Sequence, residues 1–126
     1  MSNQVLPKDF VPAALRAFWR IANRWKLNEQ QQMLILGIDN WDILQTWRPG
    51  DVEYLPNETI IRLSYVFGIF QTINTLLRKP GAADDWLWKS NKAPFLSGQS
   101  AMQKMLSGRV SDLDEVRRYL DSELGS

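Results

Sequence analysis

The 126-residue sequence predicts an all-α fold: a helix-turn-helix-like N-terminal part at 1–57, a long linking helix at 58–79, and a small C-terminal helical domain at 80–126. Three observations predict it. Apolar residues recur at steps of three and four through almost every segment, and no stretch sustains the alternation of a strand. Residues that cap helices, among them Asn28, Asn57 and Ser111, stand just before these runs. The pairs Pro49-Gly50 and Pro80-Gly81 break the chain where one run gives way to the next.

The first helix is expected from about Pro12 to Trp25, where Leu15, Phe18, Ala22 and Trp25 form one stripe. Asn28 caps a second helix holding Met33, Leu34, Ile35 and Leu36, and Gly37 ends it in a left-handed turn. Asp39 or Asn40 starts a third, with Trp41, Leu44 and Trp47 on one face, and Pro49-Gly50 stops it. After the loop GDVEYLP, Asn57 caps the longest helix, from about Glu58 to Leu77. Ile60, Leu63, Phe67, Phe70, Ile73 and Leu77 mark one of its faces. Ile61, Tyr65, Val66 and Ile69 widen the apolar surface, as expected of a helix central to a core or in a homodimer seam. Gly68 inside it costs about 1 kcal/mol relative to alanine, which points to close approach of another helix.

Beyond Pro80-Gly81, Asp84 and Asp85 open a short helix containing Trp86, Leu87 and Trp88. The stretch from Asn91 to Gln99 is rich in loop formers, and its Phe95 and Leu96 either tuck inward or face a partner. Gln99 or Ser100 begins a helix with Met102, Met105 and Leu106, ended by Gly108. Ser111 caps the last helix, whose Leu113, Val116, Leu120 and Leu124 form a stripe. Arg118 is spaced to pair with Asp114 or Asp121, while Arg117 borders the apolar stripe.

Composition removes whole classes of function. With no Cys and no His, disulfides, thiolate metal sites and histidine- or thiolate-dependent catalysis are excluded. The carboxylates form no spaced pair in a recognisable pocket, and there is no nucleophile motif, phosphate-cradling glycine pattern or metal cluster. The expectation is a protein that is not an enzyme, with no catalytic residue, cofactor or metal. No apolar run reaches the roughly 18 residues of a membrane span. The start, MSNQVLPKDF, lacks the basic-then-apolar order of a signal peptide, so a cytoplasmic location is expected. Of the six Trp, Trp19, Trp25, Trp41 and Trp47 sit at helical spacing among aliphatics and are expected in the core rather than as stacking platforms for bases.

A net charge of +1 hides alternating blocks: +4 over residues 1–26, −3 over 39–62, +4 over 78–110 and −3 over 111–126. Such alternation suits docking between proteins at least as well as binding to a polyanion. The second and third helices, joined by GIDN, have the layout of a helix-turn-helix, in which Gln45, Thr46 and Arg48 are suited to reading base edges. Arg20 and Arg24, with Arg16 and Lys26, give the first helix a basic face able to touch phosphate. Asp39, Asp42, Asp51 and Glu53 make the same region acidic, which works against it.

From residue 62 onward the order RLSYVFGIF, then DDWLWKSNKAPFLSGQSAMQKMLSGRVSDLDEVRRYLDSELG, resembles the toxin-binding domain of the Xre/MbcA/ParS antitoxins, partners of RES-domain toxins. The resemblance lies in the RLSY–GI helix, the Trp early in the second half, the Asn-x-x-Pro-Phe loop, the Gly-x-Ser-Ala turn, the Met-Leu-x-Gly helix end and the closing VRRYLD. Residues 13–50 resemble, more weakly, the helix-turn-helix half of these antitoxins. The resemblance implies a type II antitoxin that blocks the active site of an NAD-consuming or ADP-ribosylating RES toxin. It further implies a homodimer within a larger heteromeric complex, and autorepression by binding operator DNA.

By the same resemblance, toxin contacts fall at Trp86, Asn91, Pro94, Phe95, Gly98, Ser100, Met105, Arg117, Tyr119, Asp121 and Glu123. The chain departs from the family at Ser90-Asn91, where Pro-Asn is frequent, and at Ser97-Gly98, where a Gly-Gly pair is frequent. The acidic residues Asp112, Asp114, Glu115, Asp121 and Glu123 suit a basic dinucleotide site on the toxin, since complementary charge speeds association and sets register. The competing expectation is a stand-alone helix-turn-helix transcriptional regulator.

Overall fold

A computed structural model of the chain describes residues 7 and 9–125. Most of the N-terminal stretch that bears on a signal peptide, residues 1–6 and 8, lies outside the described residues. The fold is all-α: α1 (Phe10–Arg24), α2 (Glu29–Leu36), α3 (Trp41–Trp47), α4 (Asn57–Leu76), α5 (Ala82–Trp88), a 3₁₀ turn (Pro94–Leu96), α6 (Ala101–Met105) and α7 (Val110–Leu124). Among the described residues no helix is long and apolar enough to cross a membrane. Helix α4 is the axis. It packs along α7 most extensively and also touches α1, α2 and α5, while α6 fills the angle between α5 and α7. One continuous core follows, from Leu15, Phe18 and Trp25 through Leu36, Leu44 and Ile69 to Leu87, Met102 and Val116.

Local chemistry sets most helix ends. Asn28 Oδ1 accepts from the Gln31 backbone N–H at 2.8 Å, and Gln31 Oε1 accepts from the Asn28 N–H at 2.8 Å, a reciprocal capping box. Gly37, at φ +77°, ends α2, and the N–H groups of Gly37 and Ile38 both reach the Met33 carbonyl. Asn40, not Asp39, caps α3 by accepting from the Asp42 N–H. Ser100 and Gln103 form a second capping box at α6. Two expected caps are corrected. Pro56 occupies the position before α4, and Asn57 is already helical, with no side-chain cap bond. Likewise α7 begins at Val110 after Arg109, so Ser111 lies inside its first turn.

The buried face of α4 is also rotated from the expected one. Thr59, Arg62, Leu63, Val66, Ile69, Thr72 and Ile73 are buried, whereas Ile60, Phe67 and Phe70 are only half-buried and Ile61 is exposed. Arg62 lies on the buried face because its guanidinium completes the C-terminus of α2. The last four carbonyls of a helix have no partner within it. Here Arg62 Nη1 donates to Leu34 O at 3.3 Å and Ile35 O at 3.4 Å, and Thr59 Oγ1 donates to Leu36 O at 3.4 Å. Met33 O already takes Gly37 and Ile38, so all four are satisfied. Arg62 Nη2 also donates to Gly108 O at 2.8 Å, which joins the α6–α7 link to α2 and α4.

Gly68 does mark a close approach by another helix, through one side chain. Arg117 of α7 lies across it, donates to Ser64 O at 3.3 Å, and occupies the place a β-carbon would take. Trp25 and Trp47 are buried as expected, but Trp41 is 54% exposed. Its indole turns toward α2 instead of the core, because Glu29 accepts its N–H. Leu124, the last residue of the α7 stripe, is exposed as well.

Candidate functional site

Two surfaces carry the expected site residues. The first is built by α5, the 3₁₀ turn and α7. Trp86 and Tyr119 lie parallel, with ring centroids 6.4 Å apart and planes 7° from parallel. Phe95 packs against Tyr119, with centroids 4.9 Å apart and planes tilted by 34°, and Lys104 Nζ sits 5.7 Å from the Phe95 centroid. All three aromatics are half-buried, so each has one side in the core and one in solvent. Ile73, Leu76, Leu77, Trp86, Tyr119 and Leu120, with Glu123, line a groove of about 210 Å³ beside them. Leu76 and Leu77 were not among the expected contacts. They mark where α4 ends, and only packing brings that end beside α7.

The loop from Asn91 to Gln99 is closed at its base. Ser90 and Ser100 form an antiparallel bridge, and the Asn91 N–H donates to Gln99 O at 3.2 Å. Asn91 Oδ1 accepts from the Ala93 N–H at 2.8 Å, a local turn that spends its side chain internally. Leu96 plugs the loop from inside while Pro94, Ser97 and Gly98 are exposed. Ser97 and Gly98 both take left-handed backbone, at φ 51° and 84°.

Two expected contact residues are corrected. Ser100 and Met105 are 2% and 1% exposed, Ser100 as the α6 cap and Met105 as core, so neither presents a side chain to a partner. The expected acidic face is likewise largely spent within the molecule. Asp112 is buried between Lys104 (3.2 Å) and Arg109 (2.8 Å), and Glu115 also pairs with Lys104. Asp114 takes Arg118 at 2.9 Å. Asp121 accepts from Thr72 at 3.1 Å and lies 3.5 Å from Arg117. Burial pushes the Asp112 carboxyl up, but hydrogen bonds from Ser107 and Lys104 and the charges of Lys104 and Arg109 outweigh it and hold it below the usual range. Burial, with Asp114 beside it, raises the Tyr65 hydroxyl.

The second surface is the outer face of α3. Gln45 and Arg48 both donate to Glu29 of α2, and Arg48 lies over the Trp19 ring at 5.3 Å. Thr46 bonds back to Asp42 O within the helix. On α1, Arg24 pairs with Asp84 at 3.3 Å and lies 5.2 Å from the Phe70 centroid, whereas Arg20 borders the open groove beside Phe67 and Phe70. Trp88 Nε1 donates to Trp25 O at 3.0 Å, a second tie between the end of α1 and α5. Arg62 and Glu29 organise these surfaces through groups far away in sequence: apart from Glu58, four residues from Arg62, their partners lie 12 to 46 residues away, beyond any local pattern.

Fold and surfaces together define an all-helical protein with a half-buried aromatic groove on one surface and a clamped short helix on another. Over 115 residues the chain is 39% identical to the uncharacterized protein y4oB of Sinorhizobium fredii, a match covering 91% of this chain and 87% of that protein. The chain belongs to the same family as y4oB. No family model matches it.

Proposed function

We propose that this protein is the antitoxin of a type II toxin–antitoxin pair. In this reading it binds a RES-domain toxin through the α5–α7 surface, occludes the toxin's substrate cleft and performs no catalysis itself. The observation that carries the reading is the resemblance of residues 62–126 to the toxin-binding domain. The surface those residues build supports it: a Trp86–Tyr119–Phe95 cluster with an apolar groove beside it is the kind of aromatic anchor from which interfaces draw affinity. Pro94 and Gly98, exposed on the closed loop, border it in this reading. Affinity then comes from apolar anchors rather than from the acidic residues, which hold α7 in place. Half-buried Phe67 and exposed Ile61 on α4 suit a homodimer seam.

Removing 112–126 cannot test occlusion, because Leu113, Val116 and Leu120 of α7 are core. The test is co-expression with a RES-type toxin from the neighbouring reading frame. Co-purification and restored growth are expected, and both should fail when the exposed Leu124 and Pro94 are replaced together by charged residues. Growth arrest despite full expression of the folded native protein refutes the reading.

A second reading, a helix-turn-helix regulator acting with or without the toxin, is favoured by α2 and α3, two short capped helices joined by GIDN. A gel shift with the upstream DNA separates it from a role in neutralisation alone: binding that falls steeply with salt supports it.

A further inference from the structure

Three donors of α3 converge on one carboxylate. Trp41 Nε1 donates to Glu29 Oε1 at 3.0 Å, while Gln45 Nε2 and Arg48 Nη2 donate to Oε2 at 3.1 and 2.9 Å. Trp41, Gln45 and Arg48 step by four and three along the helix and therefore share a face. The hydrogen bonds from Trp41 and Gln45, with Arg48 beside them, hold the Glu29 carboxyl below its usual range. Capping of α2 does not need this acid, since Asn28 and Gln31 supply the box. The cluster lies in solvent: the side chains of Glu29 and Arg48 are 49% and 40% exposed. A donor set that holds two oxygens sharing one negative charge also fits the two free oxygens of a phosphodiester.

We infer that Trp41, Gln45 and Arg48 form a backbone-phosphate site for duplex DNA, and that Glu29 is its built-in competitor. The inference rests on the DNA-binding part of the proposed function. While Glu29 holds the donors, α3 offers a phosphate no free cation and confronts it with a negative charge. DNA gains the site only by displacing the carboxylate, so the native protein binds DNA weakly.

The experiment is fluorescence anisotropy with a labelled duplex from the upstream region, across a salt series. Compared are the full chain, Glu29→Gln, Glu29→Ala, Glu53→Gln as a charge-matched control, and Glu29→Gln combined with Arg48→Ala. Glu29→Gln keeps the side-chain shape and one acceptor for Trp41, and thermal melts establish that each variant is folded. The expected result is about tenfold tighter binding by both Glu29 variants and a salt slope steeper by about one contact. Glu53→Gln, which removes the same charge from the acidic region without freeing Arg48, should give only a small fraction of this gain and no change in slope, and the added Arg48→Ala should abolish both. Equal binding by the native chain and Glu29→Gln overturns the inference and leaves DNA binding standing. A gain matched by Glu53→Gln, or one that survives Arg48→Ala, also overturns it. No binding by any folded variant at low salt removes both the inference and the DNA-binding reading, without touching toxin neutralisation.

Discussion

Replacing Arg62 with methionine should destabilise the protein through the carbonyls it abandons, not through the ion pair it breaks. The Arg62 side chain is 7% exposed and its Glu58 partner is 62% exposed, so their 2.9 Å contact is an i,i+4 surface pair on one side only. Such pairs contribute about 0.3–0.5 kcal/mol. The same guanidinium satisfies Leu34 O, Ile35 O and Gly108 O. Each buried acceptor left without a donor costs about 1–3 kcal/mol. Only the bond to Ile35 O is fully buried and two of the three are long, so about 2–3 kcal/mol is expected for Arg62→Met, a large share of the roughly 5–15 kcal/mol that holds a domain together. Arg62→Lys, which keeps the charge but not the fork, should lose about half of this. Glu58→Gln should lose less than about 0.5 kcal/mol. Urea unfolding at fixed salt reads the three midpoints and checks that the slope is unchanged. The reasoning is refuted if Glu58→Gln costs as much as Arg62→Met, or if Arg62→Met stays within about 1 kcal/mol of the native chain.

The remaining expectations concern the same packing. Gly37→Ala should cost about 2 kcal/mol or more, because residue 37 is left-handed and a β-carbon there lies 2.5 Å from Arg62 Nε. Gly68→Ala should be close to neutral by thermal unfolding, since it meets only the end of the flexible Arg117 side chain and gains about 1 kcal/mol of helix propensity. Ser97→Gly should stabilise by about 0.5–1 kcal/mol, relieving a left-handed serine at the tip of the closed loop. The folded-state pKa of Asp112 lies below its unfolded value. Its contribution is therefore present above about pH 4 and is lost as pH falls through the folded value. Asp112→Asn should cost about 2 kcal/mol near neutrality and flatten the acid limb of the stability curve.

Helix count, order and most helix ends were legible in the sequence alone, because they depend on groups a few residues apart. Asn28 with Gln31, Gly37, Asn40 and Ser100 act on backbone groups within a turn or two of themselves, so their spacing carries the whole instruction. The aromatic surface was only partly legible: the resemblance names Trp86, Phe95 and Tyr119 among eleven contacts, while their mutual packing and the neighbouring Leu76 and Leu77 emerge only from the fold. What only the tertiary structure decided is which way side chains turn when several helices compete for one face. A helix with one neighbour has one apolar stripe, and periodicity finds it. Helix α4 has four neighbours, so a buried cation and two buried threonines displace the aromatic face that a stripe would favour. By the same logic Trp41 faces Glu29 rather than the core, and the acidic residues of α7 are spent on holding the helix. A charged or amphipathic side chain goes where its hydrogen-bonding partner is, and that partner is brought close only by the fold.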